Sequence, residues 1–199
     1  MTPRRWAGAA GITVILALSL ISCGTNTDGT EASGDSSTTA ATSTVREPRF
    51  TDESNRPDVI FDPCLDLPDD AIRQAGLDPS TKTVSDLTGG EERTFLTCSY
   101  MDPRVKGVNV ISTNTTFDEY VERDERAGFT DISYADLDGR RAMFKADRYI
   151  DNCVLTVETS YGALGITRDR FGTDTPPGQR CSGMDEMMRV FLHYLPEGA

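Results

Sequence analysis

The stretch ISYADLDGRRAMFKA, Ile132 to Ala146, decides the fold. Two strand-like runs, Ile132 to Leu137 and Arg140 to Ala146, flank Asp138-Gly139, a dipeptide suited to a two-residue hairpin turn, so an antiparallel pair is expected here. Further along, Cys153, Leu155, Val157 and Thr159 alternate with Val154, Thr156 and Glu158, giving a strand with one apolar side. A further short strand is expected around Leu164 to Thr167. Ser182 with Asp185 reads as a capping box. Behind it Met184, Met187, Met188, Phe191, Leu192 and Leu195 recur at helical spacing until Pro196 stops the run. That stripe should pack on the sheet, although a Met-rich face can also be an adaptable binding surface.

In the other direction, Thr116 followed by Glu119 is a second capping box. Phe117, Tyr120 and Val121 then share one helical face, Glu122, Asp124, Glu125 and Arg126 fall largely elsewhere, and Gly128 ends the helix. Arg93 to Met101 and Val105 to Thr113 are β-rich runs joined by Asp102-Pro103-Arg104, a second expected hairpin. Pro68, Asp69 and Asp70 precede Ala71, Ile72 and Ala75, with Gly76 following, which predicts a short helix with Pro in its first turn. The summed order is helix, two strands, helix, three or four strands, helix. Hairpins with helices between them imply an α+β fold, a single domain over 48–199 in which about three helices pack on an antiparallel sheet.

The N-terminus has a different character. Arg4 and Arg5 precede an uncharged run from Trp6 to Ile21, and Leu20-Ile21-Ser22-Cys23 closes it. A positive region, an apolar region and a small residue before cysteine are the parts of a bacterial lipoprotein signal peptide, assigned to 1–22. Sixteen residues are short for a membrane span, which takes about 20. Cleavage before Cys23 would leave its sulfur free to carry a diacylglyceryl thioether, and two or more acyl chains hold a protein on a membrane where one does not. From Cys23 to 47 the chain is then a tether. Gly24 to Thr44 holds seven Thr and four Ser and nothing apolar larger than Ala, so it cannot bury enough surface to order itself. Its root-mean-square reach is about 25–30 Å.

The formal charge is −12, and loss of Arg4 and Arg5 with the signal peptide takes it to −14. With no cluster of Lys and Arg, the chain is unsuited to nucleic acid or to electrostatic docking on anionic lipid. Besides Cys23 there are four cysteines, Cys64, Cys98, Cys153 and Cys181, and an even number in an exported domain predicts disulfides. Three pairings are open. The expected one is Cys64 with Cys98 and Cys153 with Cys181, each tying a cysteine at a helix start to one inside a strand, for about 3–4 kcal/mol apiece by chain entropy.

Catalytic signatures are sparse. His193 is the single histidine, expected beside the apolar stripe and exposed, and no serine sits in a Gly-x-Ser-x-Gly turn. Asp136-Leu137-Asp138-Gly139 looks like part of a calcium loop, but Tyr134 and Lys145 would stand at its first and twelfth ligand positions, so the hairpin reading is preferred. No cofactor, metal or catalytic residue is expected. Phe61-Asp62-Pro63-Cys64 before the first helix, Thr97-Cys98-Ser99-Tyr100 in a strand, Cys153, and Cys181 leading into a helix that ends Leu195-Pro196 form one further pattern, over 60–196. With the signal and the tether, this pattern resembles the small actinobacterial envelope lipoproteins of unknown function, the LprB/LprC-like type of mycobacteria and their relatives. Tyr100 stands where that family often has Trp. The resemblance implies a cysteine-bridged α+β domain outside the membrane and transfers no catalytic residue.

The expected function is a non-enzymatic binding or accessory module, lipid-anchored at Cys23 on the extracytoplasmic face of the cell membrane. Its partner would be an envelope protein or a small-molecule or lipid ligand. The alternatives are a carboxylate-based hydrolase of envelope polymers, which needs two carboxylates about 5–10 Å apart in a cleft, and a ligand sensor acting on a membrane partner. A large apolar cavity under the last helix would point to a small ligand, and a filled core to protein contact.

Overall fold

Phe61-Asp62-Pro63-Cys64 opens the first helix, and each residue has a separate task. Asp62 caps α1 (Pro63–Asp66), its side chain accepting from the Cys64 N–H at 2.9 Å, and Pro63 occupies the first turn, where a missing N–H costs nothing. Phe61 is fully buried. In the computed structural model the described residues are 49, 54–86, 93–102, 105–147, 152–169 and 175–199. Residues 1–22, Cys23 and the tether lie outside them, as do Pro103 and Arg104 of the expected turn.

The second helix, α2 (Asp69–Gln74), has Pro68 as its N-cap, one position earlier than expected, and Gly76 beyond its end at φ 80°. Seven strands follow: β1 (Asp78–Val84), β2 (Phe95–Asp102), β3 (Val105–Thr113), β4 (Ile132–Leu137), β5 (Arg140–Asp147), β6 (Asn152–Thr159) and β7 (Gly162–Asp169). Helix α3 (Phe117–Arg126) lies between β3 and β4, and α4 (Met184–Leu192) ends the fold. All strand pairs are antiparallel, in the order β1-β2-β3-β7-β6-β5-β4. The sheet is thus two meanders joined where β3 pairs with β7. Helix α3 carries the chain from the middle of the sheet to its far edge.

Register assigns the faces. Cys98, Val110, Ile166, Leu155 and Phe144 form one row across β2, β3, β7, β6 and β5, and this side is covered by α1, α2 and α4 in a core with Phe61, Ile72, Met184, Met188 and Phe191. Full burial of such side chains contributes about 1.5–3 kcal/mol each. The opposite row holds Thr97, Ile111, Gly165, Thr156, Met143 and Tyr134. Arg141 and Lys145, on this second side of β5, reach α3: Arg141 lies 4.8 Å over the Phe117 ring and Lys145 pairs with Asp124. So α3 packs on the opposite face from the other helices.

Gly162 allows the two meanders to meet. Its φ is 148°, and a Cβ there would stand 2.3 Å from the Thr113 carbonyl oxygen. Only glycine fits that approach.

Four expectations need correction. Among the described residues there are four α-helices where about three are expected, because α1 is a single turn, too short to leave a periodic pattern. Strand β1 was absent from the expected order; it contains Pro79 and its residues are half-buried or exposed, so it shows no alternation. Ser182 and Asp185 do not form a capping box: the N-cap of α4 is Gly183, in the left-handed region at φ 76° with no side-chain cap. Asp124, placed with the polar residues of α3, is buried at 1% exposure. The rest of the outline holds: the α+β class, the hairpin at Asp138-Gly139 with positive φ at both residues, and the Thr116–Glu119 capping box.

Candidate functional site

Both disulfides form in the expected pairing. Cys64 joins Cys98 with the Cα atoms 5.1 Å apart, fixing α1 to β2, and Cys153 joins Cys181 at 5.4 Å, fixing the approach to α4 on β6. Tyr100 is among the largest fully buried side chains, and its hydroxyl donates to the Pro63 carbonyl at 3.4 Å. Burial pushes its pKa up to about 12. Tyr161 is likewise raised to about 12 by burial, with its hydroxyl 2.9 Å from that of Ser112. Both remain neutral packing groups at ordinary pH.

The core under the last helix is filled. Met184, Met188 and Phe191 have no exposed surface, and Met187 is also buried, so the methionine stripe packs on the sheet as expected. Leu192 and Leu195 sit half-buried at its margin. The recesses lie on the outside instead.

The larger, about 580 Å³, is an open groove between the end of α2 and the outer side of α4, bordered by Gln74, Gly76, Glu186, Arg189, Val190 and His193. His193 is exposed, as expected, and its ring meets the Tyr194 ring edge-on at 5.6 Å. Neither serine nor cysteine borders this groove, so His193 has no nucleophile to activate there. Arg189 is engaged with Asp138 of the β4–β5 turn.

A second recess, about 320 Å³, lies between α3 and the edge of the sheet, among Phe117, Asp118, Val121, Tyr134 and Arg141. The Thr116–Glu119 box positions α3 above it: the Thr116 hydroxyl accepts from the Glu119 N–H at 3.2 Å, and the Glu119 carboxylate accepts from the Thr116 N–H at 2.8 Å. Arg56 donates twice to Glu119, at 2.6 and 2.8 Å, and holds its pKa down to about 2. Arg141 bonds Glu158 at 2.6 and 2.8 Å and Asp118 at 2.8 Å. Those bonds raise the Arg141 pKa, and Arg141 in turn lowers that of Glu158. The recess therefore has an apolar floor, a fixed ion pair on one wall and an exposed tyrosine at its mouth.

Asp124 is the polar group that sequence reasoning missed. Lys145 Nζ stands 3.0 Å from its carboxylate and 4.3 Å over the Phe129 ring, while Arg123 pairs with it from outside at 2.9 Å. Its signal was present. Asp124 follows Phe117 by seven residues and continues the face begun by Phe117, Tyr120 and Val121. The calcium-like run Asp136–Gly139 is the hairpin turn, with the Gly139 N–H donating to Asp136 at 2.9 Å. Among the described residues no three His, Cys, Asp or Glu side chains gather at metal-binding distance.

Cys23 lies outside the described residues, and no helix among them is long and apolar enough to cross a membrane. No curated protein and no solved structure matches the chain. A family model does match, over residues 18–194, which is most of the chain. The chain belongs to the DUF3558 family, proteins of unknown function.

Proposed function

We propose that this protein is a lipid-anchored extracytoplasmic module of the cell envelope, of the LprB/LprC-like type, that acts by holding another protein. One observation carries the contact reading. The last helix is seated on fully buried Met184, Met188 and Phe191, and the two recesses described above open on the surface. A module that enclosed a lipid or a small ligand would need an apolar, concave interior. The net charge of −12 and the lack of a basic cluster leave nucleic acid without a docking surface.

Carboxylate chemistry draws no support from the recesses. Glu186 is the one carboxylate bordering the groove at α4, and Asp118 the one bordering the recess at α3, whereas glycoside hydrolysis takes a pair. Asp118 is moreover bound to Arg141.

Two measurements test this reading. Cys23→Ser should release the protein into the medium or leave it as unprocessed precursor; unchanged size and membrane retention would remove the anchor from the proposal. Native mass spectrometry of the protein drawn from its own membrane should show polypeptide plus covalent lipid. A further non-covalent ligand would replace protein contact with ligand binding.

A further inference from the structure

This inference rests on the protein-contact reading and locates the contact. Among the described residues the sheet has two edge strands, β1 and β4. Edge strands expose unpaired backbone groups, and proteins blunt them with Pro, Lys and bulges. Strand β1 has all three: Pro79, Lys82 and a register shift between Asp78 and Thr83. Strand β4, Ile-Ser-Tyr-Ala-Asp-Leu, has none of them.

The register of β4 shows which groups are open. The Ala146 N–H donates to the Asp131 carbonyl at 3.0 Å, and Leu137 pairs with Arg140 across the two-residue turn. Bonded residues alternate in an antiparallel ladder. Hence Asp131, Ser133, Ala135 and Leu137 direct their N–H and C=O groups to β5, while Ile132, Tyr134 and Asp136 direct theirs away from the sheet. Ser133 to Asp136 are exposed, Tyr134 at 57%. The side chains of Ile132, Tyr134 and Asp136 share the face on which the α3 recess lies. An added strand would therefore find open backbone groups and, on the same face, a place for an apolar side chain.

Charge selects the occupant. From Ala127 to Gly139 there are three aspartates, Asp131, Asp136 and Asp138, and no Lys or Arg. Asp138 has Arg189, whereas Asp131 and Asp136 meet no cation among the described residues. A second copy would bring another net charge of −12 against this edge, and like charge opposes association. We propose that β4 is a strand-addition site for an extended, basic segment of a partner protein. That segment pairs antiparallel with Ile132–Asp136 and places an apolar side chain in the recess between α3 and β4.

The test uses the mature chain in detergent micelles and a seven-residue peptide alternating Arg and Val. Residues that bond directly across an antiparallel pair have side chains on the same face, so the Val N–H groups are the ones that would reach β4. The peptide should slow amide exchange at Ile132, Tyr134 and Asp136 by about tenfold or more, through the protection that strand pairing confers. N-methylation of the Val residues should abolish the effect, and N-methylation of the Arg residues should not. Tyr134→Pro should also abolish it while leaving β4–β5 protection intact, since the lost N–H is one that β5 does not use. No slowing at these amides, slowing that survives Val N-methylation, or an equal effect from a Glu/Val peptide overturns the proposal. Slowing without peptide that grows with protein concentration overturns it in favour of a second copy. In each case the anchor and mass measurements decide the broader reading on their own.

Discussion

Pro79 and Lys82 stand on one edge strand of the sheet, and the opposite edge strand has no counterpart to either. Side chains also complete the seam between β1 and β2. The Thr81 hydroxyl accepts from the Met101 N–H at 2.9 Å where the register shifts, and beyond the strand end Asp86 accepts from the Thr97 N–H at 2.9 Å. Arg49 then bridges Asp86, at 2.8 Å, to the cap Asp62, at 2.6 Å. At the β4 edge the neighbouring helix α3 is held by surface ion pairs, and among the described residues no strand pairs with its outward backbone. An edge closed by so many devices on one side, and left open on the other, separates a structural margin from a working one.

The largest expected effect breaks the closed side. Replacing Cys64 and Cys98 together by Ala should cost about 3–4 kcal/mol in urea unfolding under oxidising conditions. Amide exchange should accelerate in β1 and β2 before it does in β4 and β5. Equal acceleration at both edges would mean that the bridge does not belong to one margin.

A proline pair sharpens the open side. Ala135→Pro deletes an N–H that β5 uses and should cost about 2–3 kcal/mol, while Tyr134→Pro should stay within about 1 kcal/mol. Similar losses for the two would show that the ladder's phase differs from the one described. Reversing the comparison is a third measure: Pro79→Val with Lys82→Val strips the guards from β1. Sedimentation should then show association that grows with concentration, at a stability change of about 0.5 kcal/mol or less.

The smallest effect concerns the cap of α3. Arg56 holds the folded Glu119 pKa at about 2, below its ordinary 4.5. The carboxylate binds fewer protons folded than unfolded, so its contribution is complete above pH 4.5 and is lost as pH falls toward 2. Glu119→Gln should flatten that part of the stability profile relative to the parent, a difference read by acid titration of the circular dichroism signal.

Local chemistry was legible in the sequence where one short signal decided it. Asp138-Gly139 has a single good use between two strands, and Thr116 with Glu119 caps α3 as expected. The methionine stripe worked because Met184, Met187, Met188 and Phe191 share one buried face of α4. Strand β1 was illegible because its residues are half-buried or exposed without alternation and its place is set by β2, not by its own pattern. Gly183 displaced Ser182 as the N-cap because a left-handed residue enters α4 directly from the segment that begins at Cys181. The candidate surface was hidden for a further reason. That β4 ends at an edge follows from the pairing of β3 with β7, fifty or more residues apart, and no local pattern encodes it.

That same seam has a bearing on how the molecule is made. Cys64–Cys98 lies wholly on the first side of it, and Cys153–Cys181 wholly on the second. With Cys23 taken up by lipid as proposed, a polypeptide threaded N-terminus first into an oxidising space would meet its other four thiols in the order in which they combine. First-come oxidation would then produce the native set, and reshuffling by an isomerase would be unnecessary.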